Sequence, residues 1–258
     1  MFRRLIAAIA LLSLTALPAH AGPVIPDDVS VTHSGGLWVK GKNEINGHYF
    51  ISERDGARTI TLGSDFATKS APDLKIILSP TAPDRLSKRN VLKGGVVLGL
   101  LASATGEQSF DIPSDVDLSE FRSVAIHCEQ YNVFWGAVPL NEGRVVYAGS
   151  QWTKKSNSVT GAYEIARLPD GSHVLRTSHD FKTRSAPDLK WVLSNHSPRE
   201  AKSGNALSNG RVVRPLDSAK GAQEAAIPAS VDPGSYQTLL IHCEQFTKLW
   251  AAAPLEAV

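Results

Sequence analysis

The chain has 258 residues, 42 % of them hydrophobic and 20 % charged, with 27 Lys and Arg against 25 Asp and Glu. This composition supplies a packed core and argues against disorder. Taking residues 1–21 away as an export leader removes Arg3 and Arg4 and no acid, leaving 25 charges of each sign, which gives no electrostatic footprint for nucleic acid or an anionic membrane surface.

In chain order, the first predicted element is that leader. Arg3 and Arg4 form a basic start, Leu5 to Leu17 an apolar stretch, and Ala19-His20-Ala21 a small-x-small cleavage pattern. The expected product is a periplasmic or secreted chain starting near Gly22. No later run is long and apolar enough for a membrane span.

Beyond it, the residues are strand-rich. Arg54-Asp55-Gly56 reads as a hairpin turn, and Arg58 to Leu62 alternates polar and apolar as a half-buried strand does. Ala71-Pro72-Asp73 reads as a further turn, since proline presets φ and aspartate bonds back to its own backbone. Leu74 to Leu78, Gly95 to Leu101 and Ser123 to Cys128 are short apolar runs between turn signals. No segment shows a sustained helical period.

The same pattern then recurs. Asp65 to Lys75 returns as Asp180 to Lys190, and Ile126-His127-Cys128-Glu129-Gln130 as Ile241-His242-Cys243-Glu244-Gln245, both displaced by 115 residues. Trp135 likewise matches Trp250, whereas Trp38, Gly47 and Tyr49 match Trp152, Gly161 and Tyr163 at a displacement of 114. A period of this length is a whole domain rather than a solenoid unit. The predicted organisation is a signal peptide (1–21) and two tandem all-β domains, 22–141 and 142–258, each a β-sandwich or partly closed barrel. Pro169-Asp170-Gly171 supplies the second domain's hairpin turn, and the short polar join Asn141-Glu142-Gly143 holds the domains close.

One cysteine per domain is unusual in an exported chain, where thiols normally pair. Three uses of Cys128 and Cys243 stay open: a small buried side chain on one strand face with Val124 and Ile126; a disulfide between the domains; or a redox thiol or cofactor ligand. Strand alternation puts His127 and Cys128 on opposite faces unless a bulge turns the chain. It puts His127 with Glu129, and His242 with Glu244, either as the start of a metal site or as a polar face joined by a His–Glu hydrogen bond. Asp65 with Asp73, and Asp180 with Asp188, read as turn-capping carboxylates or as pairs for acid–base or calcium chemistry. The remaining histidines have no counterpart in the other copy, which argues against a shared site through them.

The Asp-Phe followed by Ala-Pro-Asp-Leu, the glycine before a strand (Gly47, Gly161), and the Ile-x-Cys strand followed by Trp135 or Trp250 resemble the DM-thirteen domain, twice over nearly the whole mature chain. That family is β-rich, often adjoins haem-binding DOMON domains and is described as electron-transferring. The resemblance implies a role for Cys128 and Cys243 as redox thiols or as ligands to a prosthetic group such as haem, with His127, Glu129, Trp135, His242, Glu244 and Trp250 as neighbours, and a redox partner in the cell envelope. Family members usually carry an aromatic residue where His127 and His242 stand. The glycine expected after the tryptophan is Gly136 in one copy and Ala251 in the other. The alternative is a cofactor-free binding or scaffold module in the envelope, with both cysteines in the core. Enzyme activity on a soluble substrate is the remotest option.

Overall fold

A computed structural model describes residues 30–258; the expected leader and its cleavage site lie outside them. The described chain forms two β-sandwiches whose paired strands are all antiparallel. In the first, one sheet runs in the order Ser30–Gly35, Tyr49–Arg54, Ala57–Leu62, Gln108–Ile112. It faces a sheet ordered Val39–Lys40, Val133–Pro139, Ser123–Cys128, Leu74–Ser79, Val96–Leu100. The second sandwich repeats this. Glu224–Ile227, His173–Thr177, Tyr163–Arg167, Arg144–Gly149 and Glu256–Ala257 face Thr153–Lys154, Lys248–Pro254, Thr238–Cys243, Leu189–Ser194 and Gly210–Pro215. Of the two all-β forms the sequence allowed, the sandwich is the observed one; no described sheet closes into a barrel.

Each core follows from strand alternation. Val124, Ile126 and Cys128 point inward with Ile76, Leu78, Tyr49, Ile51, Ile60 and Leu62. The second core contains Leu239, Ile241 and Cys243 with Trp191, Leu193, Tyr163 and Ile165. Trp191 stands where the first copy has Ile76, and both are fully buried. The extra volume is offset around it: Phe110, Val138 and Ile45 become Ala225, Ala253 and Val159. Cores tolerate such exchanges when total volume is kept.

The glycine before the second strand is dictated by backbone crowding. Gly47 has φ +92°, and a Cβ there would lie 2.5 Å from Phe66 Cα; Gly161 has φ +86° and the same conflict at 2.6 Å with Phe181 Cα.

The join is docked rather than loose. Ser34 N donates to Asn141 O at 3.1 Å, Gly143 N to Thr32 O at 2.9 Å, and Ser34 Oγ bridges Gly143 O and Val145 N. His33 forms an isolated bridge with Glu142, as Tyr147 pairs with Ala257 at the chain's end. The linker therefore closes the edge of the first sheet as the C-terminal tail closes that of the second.

Candidate functional site

Cys128 and Cys243 occupy the last position of their strands and have zero solvent exposure. Each thiol meets one polar group, the carbonyl of the proline in the Ala-Pro-Asp turn. Cys128 Sγ lies 3.1 Å from Pro72 O, and Cys243 Sγ lies 3.1 Å from Pro187 O. Both prolines are exposed, so each sulfur sits one layer beneath the surface. The turn is held by Asp73 in the left-handed region (φ 56°), by Glu129 N donating to Asp73 O at 3.1 Å, and by Lys75, which pairs with Asp73 at 3.6 Å and with Glu129. Asp188, Glu244 and Lys190 repeat this arrangement in the second domain.

Both cysteines are free, so the disulfide between the domains is not formed. Haem ligation does not fit this arrangement either. A porphyrin needs an open face at the ligating atom; both sulfurs are fully enclosed by core side chains and a turn carbonyl.

A bulge is present, but in the neighbouring strand. Ile126 pairs with Gly136 and His127 with Phe134, leaving Trp135 as the extra residue; Trp250 is the extra residue in the second copy. The cysteine strand keeps regular register with Leu74–Ser79, so His127 and Cys128 stay on opposite faces. The bulge instead sends the tryptophan into the core and frees its carbonyl. Trp135 O accepts from Gly41 N and Asn43 N, and Trp250 O from Lys155 N and Asn157 N. Trp135 Nε1 donates to Thr68 Oγ1 at 3.1 Å, and Trp250 Nε1 to Arg184 O at 3.1 Å.

The histidines depart from expectation. His127 and His242 are buried at 1 % exposure, not on a polar face. The expected His–Glu bond is not made: Glu129 and Glu244 turn to Lys75 and Lys190, and the Nδ1 of each histidine has no partner. Burial holds both imidazoles below their ordinary pKa, only partly countered by the acids nearby. No group of three metal-binding side chains occurs among the described residues.

The aspartate pairs separate. Asp73 and Asp188 belong to the turns, whereas Asp65 binds His48 N at 3.0 Å and His48 Nδ1 at 2.6 Å. Burial alone would raise the Asp65 pKa, but these bonds outweigh it and hold the carboxyl low. In the second copy Asp180 accepts from Ser178 Oγ at 2.5 Å, and that oxygen in turn accepts from Ala162 N at 2.8 Å. Two different chemistries thus anchor one loop, which identifies the shared role as structural. The His48–Asp65 pair borders a cleft of about 620 Å3 between the domains, together with Leu37, Gln151, Tyr163 and Glu256. This pairing leaves no trace in the repeat, because only one copy has the histidine: Ala162 stands at the place of His48.

The family model described as Electron transfer DM13 matches residues 38–140 and again 151–255, well over half the chain. The chain belongs to the DM13 family. No curated protein and no solved structure matches it. Both DM13 domains are thus electron-transfer modules by family, each with one cysteine at the same structural position. The Gly136-to-Ala251 departure is a packing exchange. A Cβ at Gly136 would lie 2.8 Å from Ile45 Cδ1, and the second domain has the shorter Val159 at that position.

Proposed function

We propose that this chain is an exported two-domain redox module in which Cys128 and Cys243 are gated thiols, opened by release of the Pro72–Asp73 and Pro187–Asp188 turns. The observation that carries it is the same 3.1 Å thiol–carbonyl contact beneath an exposed turn in both copies, kept while the surrounding core has been repacked. The DM13 membership supports redox use of the domain, and the leader-like residues 1–21 support export into a compartment where disulfides abound.

Once a turn opens, the thiol loses its proton to water. The thiolate then attacks one sulfur of an external disulfide, a sulfur–sulfur bond forms, and the partner leaves as a thiolate. A lone cysteine per domain stops the sequence at a mixed disulfide until a second external thiol arrives. Oxidised glutathione is a simple probe. The folded mature chain should acquire one reducible adduct on each cysteine; adducts that form only under denaturing conditions would sink the proposal.

The zero exposure of both sulfurs favours a second reading, a cofactor-free envelope binding module with the cysteines as packing. It predicts Cys128→Ala and Cys243→Ala variants with unchanged partner binding and no native thiol chemistry.

A further inference from the structure

His127 and His242 precede the cysteines and lie on the other face of the same strands. Both are 1 % exposed, and the Nδ1 of each is a buried polar atom without a partner. An unpaired buried polar group costs about 1–3 kcal/mol. The imidazole is nonetheless present in both copies, although its neighbour on the next strand is Phe134 in one and Leu249 in the other. A cost borne twice in changed surroundings points to a use.

Strand pairing sets each imidazole against the clamp that holds the thiol's turn. His127 is directly opposite Lys75 in the ladder, and His242 directly opposite Lys190. Directly opposed side chains share a face of the sheet. Lys75 is the cation that ties Asp73 of the turn to Glu129, and Lys190 ties Asp188 to Glu244. The charges that act on His127 are those same two acids, Glu129 and Asp73, and Glu244 and Asp188 act on His242. In the first copy the Val133 backbone also bonds the ring. The segment covering this face contributes apolar Leu86 and Val91 in one domain, Ala201 and Ala206 in the other. Its charged side chains, Asp84, Arg85, Lys88, Arg89 and Lys93, and Arg199, Glu200 and Lys202, are exposed.

We propose that His127 and His242 are acid-sensitive releases of the two thiol gates: a protonated imidazole competes with the clamping lysine for the same pair of carboxylates, and the turn opens over the cysteine. The proposal rests on the gated-thiol reading and adds its regulation. One proton enters per domain, from solvent, and makes both ring nitrogens donors. Glu129 or Glu244 is the acid on the ring's own face, and each is then drawn away from its lysine. While the turn is closed, burial is the largest influence on both rings and holds them below their ordinary pKa. Opening frees an acid for the ring and returns it towards that value, so falling pH favours the open turn.

Native labelling of each cysteine in the mature chain tests this. Dividing the labelling rate in denaturant by the native rate at the same pH gives a protection free of the thiol's own ionisation. Protection of both thiols should fall about tenfold between roughly pH 7.5 and 5.5, since one proton per domain allows at most about tenfold per pH unit. His127→Gln should flatten the profile at Cys128 and leave that at Cys243 unchanged, and His242→Gln should do the reverse, so each domain is the other's control. His127→Phe and His242→Phe serve where glutamine fails to fold, and should be equally flat. Gated labelling with a protection flat in pH, a pH dependence that persists in the histidine variants, or a single variant that flattens both thiols would overturn the proposal and leave the gate standing. Labelling that follows global unfolding at every pH would remove the gate and its release together.

Discussion

At the scale of single residues, one buried imidazole recurs at the same place in both copies, His127 and His242, whereas other buried polar groups such as Glu164 and Arg176 occur in one copy only. His127 and His242 are held neutral by burial, and His33 and His173 are shifted the same way. The unfolded chain therefore binds protons near pH 6.5 that the folded chain does not, so stability falls as pH drops through that value. Glu164, whose carboxyl is pushed up by burial, acts in the opposite sense, losing stability as pH rises above the ordinary carboxylate range. The low Asp65 and Glu129 carboxyls keep their contribution until pH falls below that range. A His127→Gln/His242→Gln double variant should flatten the decline in melting temperature between pH 7 and pH 5; an unchanged profile would show that these two imidazoles do not titrate on unfolding. The cysteines, their turns and the tryptophans were all legible as repeated residues. The burial of His127 and the His48–Asp65 pair were not, because a strand pattern gives the face of a side chain without what covers that face.

At the scale of elements, turns and bulges position the site. Gly47 and Gly56 both have positive φ, but a Cβ at Gly47 collides with backbone whereas one at Gly56 meets nothing within 4 Å. Gly56→Ala should cost about 1 kcal/mol through conformation alone. Gly47→Ala adds displacement of the Phe66 backbone and should cost at least twice as much; denaturant midpoints of the two variants check the ordering. Strand positions and the Ala-Pro-Asp turns were readable from alternation and turn chemistry. The strand Ser123–Cys128 is found at its predicted bounds, and Leu74–Ser79 within one residue. The bulge at Trp135 was not readable, since one extra residue leaves no local signature in so apolar a strand.

At the scale of the molecule, duplication has been followed by divergence at the interface. Phe50, Thr61 and Ser109 of the first domain correspond to Glu164, Arg176 and Glu224 of the second. Glu164 is fully buried and accepts from Gly36 N of the first domain at 3.1 Å. Arg176 reaches Glu224 at 2.8 Å, the Glu142 carbonyl at 3.1 Å and Glu164 at 3.6 Å. Removing one member of a buried pair strands the other. Arg176→Ala should therefore destabilise the chain by about 3–5 kcal/mol, whereas restoring the first-domain pair with Glu164→Phe and Arg176→Thr should recover part of the loss. Equal stability of the single and double variants in chemical denaturation would contradict this. Sequence comparison established two domains but not their contact, because the interface is made by the residues that differ between copies.

Native alkylation of Cys128 and Cys243, followed by mass spectrometry across urea concentrations below the unfolding transition, tests the gated thiol most directly. Opening of a turn alone exposes little new surface, so the labelling rate should be nearly independent of urea in that range. Pro72→Gly and Pro187→Gly should raise the rate about fivefold, equivalent to ~1 kcal/mol of turn stability, with little change in the global midpoint. A rate that rises with the full urea dependence of global unfolding, and that ignores the turn substitutions, would show that the thiols are core packing and nothing more.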